Sequence, residues 1–172
     1  MLIIVEGPDT GGKSFLVEAL LKTLPRSVHI SMLGGRTKPH EQSRMSTYEL
    51  LATLNESTIV CERFHAISDR VYRQIDNGER IFTDEETCLI YRRLARRNAV
   101  VVYCRPPFAR TRKHIAKGDD DQEWMDKVEA NFPAIYRAYD FEMLKLHKLG
   151  VDVIHHDHTV SWSMDLLLKG LE

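Results

Sequence analysis

Five short apolar runs, each separated from the next by stretches with helical spacing, leave this chain few ways to fold. Leu2 to Val5, Val28 to Leu33, Thr58 to Cys61, Ala99 to Cys104 and Val151 to Ile154 are almost uninterrupted and rich in β-branched residues. That is the pattern of strands buried on both faces of a parallel sheet. Ser14 to Leu24 puts Phe15, Leu16, Ala19, Leu20 and Leu24 at helical spacing before Pro25 stops it, and Glu41 to Leu54 repeats the pattern. Ile67 to Ile75, Thr83 to Arg97 and Phe108 to Ala116 read as further helices, with Thr83 and Glu86 spaced as a capping box. A long helix follows from about Asp121 to Leu149, interrupted or kinked near Pro133, and Ser161 to Leu171 closes the chain. Strands alternating with helices predict a three-layer α/β fold, a five-stranded parallel sheet flanked by helices. At 172 residues, without repeat, linker or low-complexity tract, the sequence is expected to form a single domain over 1–172.

Composition narrows the partners. Lys plus Arg number 24 against 25 Asp plus Glu, a formal net charge of -1, so nothing draws the whole molecule to nucleic acid or to an anionic membrane. Anion binding must be local. The opening apolar run ends at Glu6, far short of a signal-peptide core or a membrane span. Cys61, Cys88 and Cys104 have no paired spacing, and two of them sit in apolar runs. They read as reduced thiols of a cytoplasmic protein.

The sharpest motif follows the first run. Gly7, Gly12, Lys13 and Ser14 in Gly7-Pro8-Asp9-Thr10-Gly11-Gly12-Lys13-Ser14 meet the P-loop spacing, between an apolar strand and an amphipathic helix. Small residues let the backbone curl so that its N–H groups face a phosphate, and the positive helix N-terminus adds to the attraction. Gly7 and Asp9 to Phe15 are therefore candidate ATP contacts. Lys13 is expected at the surface of the cleft, reaching the β- and γ-phosphates, and the Ser14 hydroxyl is a candidate ligand for Mg²⁺.

The third run ends Val60-Cys61-Glu62-Arg63-Phe64, and Ser68-Asp69-Arg70 follows. Here the chain resembles the thymidylate kinase and deoxynucleoside kinase superfamily, whose members place an Asp-Arg or Glu-Arg pair at this strand end. The loop, with Asp9, is closer to thymidylate kinases. Glu62-Arg63 with Ser68-Asp69-Arg70 looks nearer to deoxynucleoside kinases, one residue longer in its spacing. The resemblance implies a P-loop kinase fold with a lid, here about residues 108–122, whose Arg112 would meet transition-state charge. It also implies that Asp9 contacts the acceptor, and that the chain pairs as a homodimer. A carboxylate at the strand tip can hold Mg²⁺ or its waters and an adjacent Arg can neutralise phosphate charge, which makes Glu62 and Arg63 catalytic candidates.

Two departures weigh on the acceptor. Thymidylate kinases carry an Arg-Glu-Pro-Gly segment after the second strand, where this chain has Leu33-Gly34-Gly35-Arg36-Thr37-Lys38-Pro39, so Arg36 is the candidate for that phosphate contact. Deoxynucleoside kinases resemble a site with a Glu at the same strand end, and His29 to Leu33 offers no carboxylate. A sugar hydroxyl benefits from a positioned base, whereas a phosphate oxygen is already ionised near neutral pH. The expected reaction is ATP- and Mg²⁺-dependent transfer to a (deoxy)nucleoside monophosphate. The alternatives are a kinase acting on a hydroxyl of a nucleoside or modified nucleotide, with Glu62 or Asp9 as base, and a non-catalytic nucleotide-binding module. Phe64, Tyr72 and Arg70 are candidates to line the acceptor cleft. His155-His156-Asp157-His158 alternates along a strand end and cannot converge on a metal, and the Arg92-Arg93, Arg96-Arg97 face is expected to pair with Asp84-Glu85-Glu86 rather than with nucleic acid.

Overall fold

The computed structural model describes residues 1–24, 26–32, 39–52, 57–76, 78–115, 122–160 and 163–171. Five strands, β1 (Leu2–Glu6), β2 (Val28–Ser31), β3 (Ile59–Glu62), β4 (Val100–Cys104) and β5 (Asp152–His156), pair in the order β2-β3-β1-β4-β5, and every pairing is parallel. The helices are α1 (Lys13–Thr23), α2 (His40–Ala52), α3 (His65–Asp76), α4 (Asp84–Arg96), α5 (Phe108–Ile115), α6 (Gln122–Lys148) and α7 (Ser163–Leu171).

Alternation along β1 divides the interior in two. Leu2 and Ile4 join a large core with Leu50 of α2, Ile67 of α3, Leu94 of α4 and Tyr139 of α6, whereas Ile3 and Val5 join a smaller one with Leu16 and Leu20 of α1 and Leu167 of α7. Helices therefore cover both faces of the sheet, the three-layer architecture expected for continuous parallel strands. Only the central strands have both faces buried. β1, β3 and β4 are buried throughout, while the edge strands β2 and β5 are largely exposed or half-buried, against the expectation that all five would be enclosed. An edge strand has one neighbour, so half its surroundings are missing.

The long helix has the expected bounds without the interruption that Pro133 suggested. α6 runs unbroken through Pro133, which costs it the bond to one carbonyl but not its packing, because Phe132, Ile135 and Tyr136 on either side are buried. Of the aromatics along it, Phe132, Tyr136 and Tyr139 are buried and Phe141 is 62% exposed. The capping box forms as read: Glu86 donates its N–H to the Thr83 hydroxyl, and its carboxylate accepts the Thr83 N–H. The acidic first turn of α4, however, pairs with other arginines than the basic face on its own helix. Glu86 pairs with Arg44 of α2, Asp84 with Arg70 of α3 and with Arg80. Cys61 and Cys104 are buried and Cys88 is half-buried. No described helix is long and apolar enough to cross a membrane.

Parallel strands end at one edge, and ligands of open α/β sheets bind outside those carboxyl ends. Here β1 hands over to Gly7, β3 to Arg63, β4 to Arg105 and β5 to Asp157, with β1 flanked by β3 and β4.

Candidate active site

The loop after β1 depends on residues that tolerate a sharp turn. Gly7 has φ +147, and a Cβ there would lie 2.4 Å from the Cys104 carbonyl oxygen on the neighbouring strand, so only glycine fits. Gly11 donates its N–H to the Pro8 carbonyl at 3.1 Å, and Thr10 and Gly12 adopt left-handed φ of +59 and +83. The Thr10 hydroxyl donates to the Thr111 carbonyl of α5 at 3.1 Å, tying the loop to the start of the region expected to form the lid. Gly12 caps α1 with no side-chain hydrogen bond, which leaves the first N–H groups of the helix available to an anion.

Lys13 is buried, 6% exposed, and folded back on its own loop, correcting the expectation of a side chain at the cleft surface. Its ammonium donates to the carbonyls of Gly7 at 2.9 Å and Pro8 at 2.7 Å. Burial, reinforced by nearby Arg63, lowers its pKa to about 8 despite the opposing charges of Asp9 and Glu6. One residue on, the Ser14 hydroxyl donates to Glu62 Oε1 at 2.6 Å, bringing together the two residues read from separate motifs as metal ligands. A hydroxyl and a carboxylate are hard oxygen donors. Two of them, completed by phosphate oxygens and water, suit Mg²⁺, which seldom has a cage made wholly of protein. Among the described residues no cluster of three or more His, Cys, Asp or Glu offers such a cage.

Arg63 follows Glu62 in a left-handed conformation, φ +63, and its guanidinium forms an ion pair with Asp9. The same guanidinium lies 5.6 Å from the centre of the Tyr72 ring, and the Tyr72 hydroxyl accepts the Asp9 N–H at 3.1 Å. Burial alone would raise the Asp9 pKa, but the charges of Arg63 and Lys13 outweigh it and hold the carboxyl below its ordinary value. Beneath this cluster sits Glu6, fully buried. It accepts from the Phe64 N–H at 2.6 Å, the Ser68 hydroxyl at 2.8 Å, the Tyr139 hydroxyl at 3.1 Å and the Gly7 N–H at 3.2 Å. One carboxylate thereby fixes the start of the loop against the β3–α3 corner, and burial raises its pKa.

Lys13, Ser14, Asp9, Glu62, Arg63 and Tyr72 are thus brought together. Two other candidates are not. Phe64 is fully buried in the large core and presents no ring to a cleft. Arg70 is buried as well, donating to Glu142 of α6 at 2.8 Å and pairing with Asp84, so it joins three helices rather than lining a pocket. Phe15 is 67% exposed on the first turn of α1. Arg36 and the side chain of Arg112 lie outside the described residues.

Sequence reading missed Glu6, taken only as the end of an apolar run, and Trp124. Trp124 lies at the start of α6 with its ring 5.9 Å from that of Tyr72. A charged residue closing a buried strand just before a phosphate loop was the signal for Glu6. The histidines of the last strand have three different surroundings: His155 lies against the Tyr103 ring at 5.3 Å, His156 is buried, and His158 packs on Gly12, where a Cβ would meet its Nδ1 at 2.6 Å.

A parallel sheet with a phosphate loop after its central strand and a Glu-Arg pair at the next strand tip is the frame of a P-loop nucleotide-binding fold. No family model and no curated protein sequence matches the chain. Solved structures do. The YorR protein of Bacillus subtilis, in complex with phosphorylated GDP, matches with a TM-score of 0.73 at 22% identity, over 99% of this chain and 93% of that one. Thymidylate kinase from Candida albicans gives 0.62 at 14% identity, over 99% and 89%. Deoxyadenosine kinase from M. mycoides gives 0.60 at 14%, over 99% and 98%. The chain shares with these structures the three-layer α/β fold of P-loop kinases.

Proposed function

We propose that this protein transfers the γ-phosphoryl group of ATP to a (deoxy)nucleoside monophosphate. The observation that carries the reading is that the two consecutive residues at the tip of β3 reach two ends of the phosphate loop, Glu62 to Ser14 and Arg63 to Asp9. One strand end thereby addresses a donor side and an acceptor side. Mg²⁺ bound with the nucleotide would neutralise phosphate charge, held by Ser14 and Glu62. Lys13 would exchange the Gly7 and Pro8 carbonyls for donor phosphate oxygens. Arg63 would exchange Asp9 for the acceptor phosphate, with Tyr72 beneath its guanidinium, and Arg112 would meet charge from the lid.

The engagement of both candidate bases supports a phosphate acceptor. Asp9 is paired with Arg63, and a hydroxyl acceptor brings no charge to draw that guanidinium away, while Glu62 accepts from Ser14 on the donor side. A phosphate oxygen needs no such base.

The test is a coupled assay with ATP, Mg²⁺ and a panel of nucleosides, nucleoside monophosphates and a short oligonucleotide. Diphosphate formed from one or more monophosphates is expected. Product only from nucleosides or the oligonucleotide would overturn the acceptor. Stabilisation by Mg²⁺ and ATP with no product on any member would leave a nucleotide-binding module.

A further inference from the structure

Glu62 has two carboxylate oxygens, and they face different partners. Oε1 accepts the Ser14 hydroxyl at 2.6 Å; Oε2 lies 3.6 Å from Nε2 of His29 on β2. The register explains why. His29 pairs with Val60, and side chains two apart on a strand share a face, so His29, Val60 and Glu62 all stand on the α1 side of the sheet. The His29 side chain is 38% exposed and that of Glu62 7%, so the pair joins an imidazole that reaches solvent to a carboxylate that barely does.

We infer that His29 is a positioning residue that fixes the rotation of Glu62 and restricts it to one oxygen toward the metal. This rests on the reading above that Glu62 holds Mg²⁺. A carboxylate free to turn can present both oxygens to a cation, which Ca²⁺ accepts and Mg²⁺, with its near-octahedral demand, does not. An imidazole N–H directed at Oε2 occupies that oxygen and leaves Oε1 for the metal or its water, as partners of metal-ligating carboxylates do elsewhere. Closing 3.6 Å to hydrogen-bond length takes a small rotation of an exposed ring, and such contacts tighten when ligand binds.

The experiment compares wild type, His29→Leu, His29→Gln and Glu62→Gln by calorimetric titration with ATP in EDTA, in Mg²⁺ and in Ca²⁺, without acceptor. His29→Leu is expected to weaken the gain in ATP affinity that Mg²⁺ brings by about tenfold and to narrow the preference for Mg²⁺ over Ca²⁺, while affinity in EDTA stays unchanged. His29→Gln, whose carboxamide also donates an N–H, should recover most of the gain. An unchanged Mg²⁺ gain in His29→Leu beside a reduced one in Glu62→Gln overturns the role of His29 alone. Full gain in Glu62→Gln overturns the Glu62 assignment itself and the role of His29 with it. An equal loss in EDTA and in Mg²⁺ for His29→Leu makes the residue merely structural and overturns the inference.

Discussion

Lys13 sits where phosphate is expected, its ammonium held by two loop carbonyls and its pKa lowered to about 8 by burial and by Arg63. The folded value lies below the unfolded one, so this group opposes folding below about pH 8, and stability rises as pH climbs from there toward the unfolded value. Donor phosphates reverse the imbalance by favouring the charged form. ATP binding at pH 8 should therefore take up a fraction of a proton, visible as a dependence of the calorimetric enthalpy on buffer ionisation and lost in Lys13→Met. Arg63 makes a second prediction. Its planar guanidinium both pairs with Asp9 and covers Tyr72, which an ammonium cannot reproduce. Arg63→Lys should raise the acceptor KM by about tenfold or more and leave ATP affinity near wild type, a split that steady-state kinetics and ATP titration resolve. Glu62 and Arg63 were named by the resemblance and by their place at the end of an apolar run, whereas spacing named the loop residues, because the phosphate loop has a fixed spacing. It could not reveal that Lys13 folds back, since that depends on which carbonyls the left-handed turns at Thr10 and Gly12 expose. Nor could it separate Tyr72, beside Asp9, from Phe64 and Arg70, because a motif does not say which way a helix face is turned.

At the scale of elements, strand and helix positions were legible from apolar runs and periodicity, and the ends were less so. α3 begins at His65, ahead of the expected Ile67, because Phe64 and Ser68 are both held by Glu6, a long-range tie that no local pattern reveals. α6 continues through Pro133 because tertiary packing outweighs the local rule. Pro133 itself is exposed, so Pro133→Ala should restore a helical bond and stabilise the protein by up to about 3 kcal/mol in urea unfolding. The union of α3, α4 and α6 has a more vulnerable point. Glu142 accepts from Arg70 and, at 2.8 Å, from the Tyr91 hydroxyl, with 3% of its side chain exposed. Glu142→Leu leaves a buried guanidinium without its main partner and should cost about 3–5 kcal/mol, seen as a lower urea midpoint. Because Arg70 is outside the phosphate loop, ATP affinity of the folded variant should change little.

For the whole molecule, the order β2-β3-β1-β4-β5 places the phosphate loop between the tip of β3, which carries Glu62 and Arg63, and β4, whose Cys104 carbonyl makes Gly7 obligatory. The fold class followed from alternation of strands and helices, but the strand order did not, since the same five runs admit several parallel sheets. The central claim is that this arrangement moves a phosphoryl group onto a nucleotide's phosphate. Phosphorus NMR of the protein with ATP, Mg²⁺ and a deoxynucleoside monophosphate panel follows every phosphorus at once. The account predicts loss of the ATP γ resonance and of the monophosphate's own resonance together, with two diphosphate β resonances gained for each γ lost, one on ADP and one on the new nucleoside diphosphate, abolished in Glu62→Gln. Release of inorganic phosphate alone, or a new phosphomonoester on a sugar or base hydroxyl, would contradict it.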